Sequence, residues 1–197
     1  MKFHYYLENS SGWAGISIEI ENFKKNYSIS YGWDDCDIKD LLGGIISLIG
    51  DESKLSSGLE DKYLINDNSF EWTIIGGPEK VKFKFLLLDE NSIEINIFES
   101  SFDLNEEGSK VFTGIVNFKE LISNILFSCN NIINKYGILG YYYNFWVEFP
   151  LFFYLYLKNI IEKKLECEIF IETVNCKEEN MFKTNIENEF NLIKSFE

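Results

Sequence analysis

The chain contains no arginine and no glutamine, a single histidine and only two prolines in 197 residues. Without arginine it cannot form the planar, two-pronged guanidinium contact to phosphate or carboxylate, so its charged recognition chemistry must lie mostly on the acceptor side. With His4 alone, any Ser/His/Asp or Cys/His nucleophilic site has to use a residue inside a terminal strand pattern, a place better suited to an edge or core histidine. Cys36, Cys129, Cys167 and Cys176 are widely spaced, with no C-x-x-C pair. Their spacing offers no zinc site, and the even count leaves two disulfides open beside four free thiols in a reducing compartment. Neither a G-x-G-x-x-G nor a G-x-x-x-x-G-K-[ST] phosphate loop occurs. No metal, no cofactor and no catalytic residue is therefore expected.

Long hydrophobic runs are also missing. The start, Met1-Lys2-Phe3-His4-Tyr5-Tyr6, has neither an apolar core nor a small-residue cleavage site, so no signal peptide is expected. The most apolar stretch, Gly140 to Ile161, is interrupted by Asn144, Glu148, Pro150 and Lys158. Its uncharged part is roughly half the length needed to span a bilayer, and a buried helix fits it better. The expected setting is the cytoplasm.

What is present is acid and aromatic surface. Eighteen lysines face 32 Asp and Glu, a net charge of −14, while aromatics make up 17% of the chain. A pI near 4.5 argues against nucleic acid and anionic membranes as partners. The hydrophobic fraction of 46% is that of a folding sequence rather than a disordered one. The length fits one domain over residues 1–197, with 177–197 a terminal helix or tail.

The first third alternates with period two. Phe3 to Leu7, Ile16 to Glu21 and Tyr27 to Tyr31 read as three antiparallel strands with one wet face. Asp34-Asp35-Cys36-Asp37 then opens a helix whose apolar stripe is Ile38, Leu41, Leu42, Ile45, Ile46 and Ile49. Gly43-Gly44 inside it suggests close packing, and Gly50 suits its end. Asp51 to Asn68 reads as a polar surface loop. Phe70 to Ile75, Val81 to Leu88, Ser92 to Phe98 and Val111 to Val116 are further strands, joined by turns such as Gly76-Gly77-Pro78-Glu79 and Leu104 to Ser109.

The second half turns helical. Asn117 and Glu120 have capping-box spacing ahead of an apolar face from Phe118 to Tyr136, and Gly137 is expected to close that helix. Pro150 suits the first turn of the next, which is apolar on all sides over Leu151 to Leu157 and should be central. Glu168 to Glu172 could be a strand and Glu178 to Phe196 a charged helix. Strands first and helices later imply an α+β fold: an antiparallel sheet of about six to seven strands, one early helix and two or three C-terminal helices.

Two features point toward binding. Asp34, Asp35, Asp37, Asp40, Asp51, Glu52, Glu60 and Asp61 oppose only Lys39 and Lys54, a net charge of −6 in one stretch. That stretch is either a solvated face or a surface steering a basic partner. Tyr141-Tyr142-Tyr143-Asn144-Phe145-Trp146 places five aromatics in what reads as a short connection between two helices. They either wrap the core or, with Tyr141, Tyr142 and Trp146 as anchors, form an interface. Trp13, Trp33 and Trp72 read as core or rim. Paired carboxylates serving a small enzyme or ligand-binding domain, and a structural subunit of an assembly contacting through Tyr141 to Trp146, are the alternatives.

The order of N-terminal strands, the acidic Asp34-Asp35-Cys36-Asp37, Phe70-Glu71-Trp72 leading to Gly76-Gly77-Pro78-Glu79, and late helices around Tyr136-Gly137 and Phe149-Pro150 resembles the small acidic immunity proteins encoded beside bacterial polymorphic or contact-dependent toxins. The resemblance implies a non-enzymatic cytoplasmic protein that binds and blocks one basic toxin domain, often a nuclease. Carboxylates would then occupy a site built for phosphate.

Overall fold

The computed structural model describes residues 1–8, 12–30, 38–49, 64–66, 68–101, 108–162 and 186–194. In chain order the elements are β1 (Lys2–Leu7), β2 (Trp13–Ile20), β3 (Phe23–Ser30), α1 (Ile38–Ile49), β4 (Leu64–Asn66), β5 (Ser69–Gly76), β6 (Glu79–Asp89), β7 (Ser92–Ser101), β8 (Ser109–Asn117), α2 (Phe118–Phe145), α3 (Leu151–Glu162) and α4 (Ile186–Lys194). The class is α+β, but the strands form two antiparallel sheets rather than one. β1-β2-β3 make a three-stranded sheet and β4-β5-β6-β7-β8 a five-stranded meander. β4 is a three-residue strand inside the stretch read as loop; its short, polar-flanked pattern is too brief for a period-two signal.

The three-stranded sheet buries the face its alternation marks, with Phe3 and Tyr5 beside Ile16, Ile18 and Ile20. Its β1 edge is closed by α2. The Tyr5 backbone N–H donates to the Ser128 hydroxyl at 3.2 Å, and the Met1 ammonium pairs with Glu120 at 3.1 Å. The same Ser128 hydroxyl lies 3.4 Å from the Phe3 carbonyl, so the middle of this edge is engaged by α2 rather than open to another chain. Asn117 caps α2, its side-chain oxygen accepting from the Glu120 N–H at 3.0 Å. The Glu120 carboxylate reaches the chain terminus instead of completing a capping box.

β3 joins the sheets. The Phe23 and Phe112 rings lie 4.5 Å apart, and Tyr27 meets Phe83 edge-on at 5.8 Å. The buried Tyr27 donates its hydroxyl to Glu99 of β7 at 2.8 Å, and Lys25 reaches the same carboxylate at 2.6 Å. On the inner face of the larger sheet Phe70, Trp72, Phe83, Phe85, Ile93, Ile95 and Ile97 are all buried. They and the three-stranded sheet share one contiguous core with α1, α2 and α3. Gly44 explains itself here: a Cβ at that position would stand 2.2 Å from the Phe70 ring.

α3 departs from its expected all-round burial. Phe153, Tyr154, Leu157 and Lys158 are buried, but Phe152 faces outward. Lys158 donates to the Tyr154 hydroxyl at 3.3 Å, which in turn donates to Asn130 of α2 at 3.2 Å, so polar groups satisfy one another between the two helices. The expected strand at Glu168 to Glu172, the Gly50 helix end and the Leu104 turn lie outside the described residues. α4 falls within the expected terminal helix.

Two predictions follow from this packing. Gly44→Ala should lower the unfolding free energy by about 1–3 kcal/mol in a denaturant titration, because the overlap with Phe70 outweighs the roughly 1 kcal/mol helix preference for Ala. Burial first, and then the bond to Glu99, push the Tyr27 phenol well above its ordinary value of 10.0. A group whose folded value is raised loses its stabilising contribution as pH rises beyond the unfolded value. Above pH 10.0 the parent should therefore lose stability faster than Tyr27→Phe, by at most about 1.4 kcal/mol per pH unit, measured by unfolding at stepped alkaline pH.

Candidate protein-binding surface

The expected connection between two helices is instead the last two turns of α2. Gly137 does not end the helix but kinks it, with φ 71° and ψ 171°. That backbone region is open in practice only to glycine and costs other residues roughly 1–3 kcal/mol. Beyond the kink the helix resumes as an arm that ends at Trp146, whose φ of 61° is left-handed. The Trp146 N–H donates to the Tyr142 carbonyl at 2.7 Å, and the Gly12 N–H of the β1–β2 connection donates to the Asn144 carbonyl at 2.9 Å. The Asn144 side chain donates back to the Gly140 carbonyl at 2.7 Å.

Aromatic burial holds the arm. Tyr141 and Phe145, four residues apart, point inward; their rings lie 4.9 Å apart, and Tyr141 meets Phe149 edge-on at 5.3 Å. Phe149 then meets Tyr154 of α3 at 5.9 Å. Each fully buried ring contributes roughly 2–3 kcal/mol, enough together to outweigh the bend at Gly137.

The opposite face carries a second apolar stripe. Leu139, Tyr142, Tyr143 and Trp146 stand at i, i+3, i+4 and i+7, the spacing that normally marks a core-facing surface, yet they are 74%, 41%, 70% and 73% exposed. Tyr142 and Tyr143 meet edge-on at 5.8 Å. Glu148 is exposed just past the arm, and Lys135 lies over the Tyr136 ring at 4.8 Å just before it.

Of the residues singled out from sequence, Tyr142 and Trp146 face solvent together, whereas Tyr141 is fully buried and supports the arm from within. Tyr143 and Leu139 complete the stripe; their signal was the helical spacing, hidden once Gly137 was read as a terminus. Asp40 sits in the first turn of α1, partly buried, where its charge complements the helix dipole. Asp34, Asp35, Asp37, Asp51, Glu52, Glu60 and Asp61 lie outside the described residues, as does Trp33. Trp72 is core, and Trp13 is half-buried.

Elsewhere the chemistry is sparse. His4 is exposed on the outer face of β1, stacked on Tyr6 at 5.5 Å. Cys129 is buried in the core. Among the described residues no group of three His, Cys, Asp or Glu side chains could hold a metal, and no helix is long and apolar enough to cross a membrane. A cleft of about 410 Å³ is lined by Pro78, Glu79, Glu99, Ser100 and Ser101. It brings two carboxylates to one opening, with Glu99 already engaged by Lys25 and Tyr27.

Trp146→Gly separates structure from binding at the arm. Removing the left-handed strain of a non-glycine residue, against the extra chain entropy of Gly, should change stability by between zero and about +1 kcal/mol in a urea titration. A loss beyond about 1 kcal/mol would mean that the indole packs as a core group. Comparison with protein-family models, with curated proteins and with solved structures finds no match to this chain.

Proposed function

We propose that this chain is a non-enzymatic binding protein that engages another protein stoichiometrically, as an immunity protein neutralising a bacterial toxin domain does. The observation that supports this reading is the solvent-facing Leu139, Tyr142, Tyr143 and Trp146 stripe on a helical arm anchored by buried rings. Exposed aromatics in one patch are costly in water unless something covers them, and Tyr and Trp are the side chains that concentrate binding energy at interfaces. Their support is rigid, so little conformational freedom is lost on docking.

The chain's charge suits a basic partner. A net charge of −14, with −6 concentrated over Asp34 to Asp61, raises the encounter rate with a cationic domain. In this reading the acids steer and the arm holds. The two roles separate experimentally, since steering is sensitive to salt and aromatic anchoring is not.

The test is binding between the full chain and the toxin domain encoded beside its gene. Complex formation and protection of cells are expected. Trp146→Ala and Tyr143→Ala should each weaken the complex by about 2 kcal/mol, near 30-fold, chiefly through faster dissociation. Replacing Asp34, Asp35 and Asp37 by Asn should slow association and flatten its salt dependence. No binding and no protection would remove the reading.

A further inference from the structure

We infer that the outer face of the five-stranded sheet is a second interaction surface, built to take an extended acidic peptide segment of a partner protein. The burial of Val81, Phe83 and Phe85 turns Lys80, Lys82 and Lys84 to the opposite side of β6. The ladder then sets Lys82 opposite Phe98 and Phe98 opposite Lys110, so the phenyl ring lies between two lysine-bearing strands. The Lys84 and Lys110 ammonium groups lie over that ring at 5.1 and 5.4 Å from its centre. Among the described residues four lysines share this face with two carboxylates, Glu71 and Glu94. Counted over those residues the face carries +2, in a chain whose total is −14.

The face is organised rather than scattered. Asn96, buried in its middle, donates to Glu94 at 2.7 Å and accepts from Lys110 at 3.0 Å and from Thr113 at 2.7 Å. Lys82 and Lys84 share the single carboxylate of Glu71 at 3.3 and 3.1 Å. Among the described residues neither Lys80 nor Lys110 has a carboxylate partner, so two cations at the same end of the face, two strands apart, are left to accept an anion.

Geometry selects the occupant. Lys80, Lys82 and Lys84 recur at every second residue, about 6.6 Å apart, which is the repeat of side chains on one side of an extended chain. A partner strand with carboxylates at alternate positions matches that row. Single-stranded nucleic acid fits less well. The Phe98 ring already carries ammonium groups, so base stacking would have to displace them. This surface is separate from the aromatic arm and does not depend on the reading given to the arm.

The test titrates the full-length protein with a fluorescent peptide of alternating Glu and Thr at low and high salt, with single-stranded oligouridylate as competitor. Saturable binding that weakens with salt is expected. Replacing Lys80→Gln and Lys110→Gln together, which leaves both Glu71 ion pairs in place, should weaken it by about tenfold. An unchanged melting temperature for that variant assigns the loss to the surface rather than to folding. If the variant melts lower, the salt dependence of the parent decides. Absence of saturable binding, affinity indifferent to salt, a well-folded variant that binds like the parent, or tighter binding of oligouridylate than of the peptide would each overturn the inference.

Discussion

The seating of Tyr141 and Phe145 against Phe149 is the constraint on which the rest of the candidate surface depends. A straight continuation of α2 would carry its last two turns on the line set by its packing against β1. The positive φ at Gly137 redirects them, and the two inward rings fix the new direction. Once those rings are committed to the core, helical geometry dictates the other face: Leu139, Tyr142, Tyr143 and Trp146 have nowhere to go but outward. The Asn144 carbonyl, held by the Gly12 amide, ties the same arm to the first hairpin. The stripe's direction is thus set by buried rings and a backbone hydrogen bond, an arrangement that would lower the ordering cost of docking.

Charge is distributed with comparable consequence. The chain is strongly acidic, yet its outward β6 positions carry three lysines in a row, balanced locally by one shared glutamate. Cross-strand pairing with Glu71 accounts for part of that pattern as ordinary sheet stabilisation. The phenyl ring of Phe98 beneath the Lys84 and Lys110 ammonium groups and the Asn96 bridge place Lys110 as well. The molecule thus presents two chemically distinct faces, one aromatic and nearly uncharged, one cationic, within an acidic whole.

Much of the fold was legible in the sequence because period two and period 3.6 are strong signals when one face is buried. Ile16, Ile18 and Ile20, and the stripe Ile38, Leu41, Leu42, Ile45 and Ile46, are buried as their spacing indicates. The division into two sheets was not legible, since strand partners are set by long-range packing such as Tyr27 on Phe83 rather than by local pattern. The arm was misread for a specific reason. Glycine after a long apolar face usually ends a helix, and a kink with resumed helix leaves the same local signature. The aromatic run was noticed, but which rings point inward follows only from the phase set at Gly137. The cationic face escaped notice because its lysines are interleaved with core residues and diluted in a net-acidic composition.

The most direct measurement is hydroxyl-radical footprinting of the full-length chain, alone and mixed with the product of the neighbouring gene, where the proposed function places the partner. Alone, Trp146 and Tyr143 should be heavily oxidised and Tyr141 spared; in the mixture, Trp146 and Tyr143 should become protected. Oxidation of Tyr141 equal to that of Tyr143 in the free chain would contradict the seating of the arm. Labelling of Trp146 and Tyr143 that is identical with and without that product would contradict the binding role proposed for the arm.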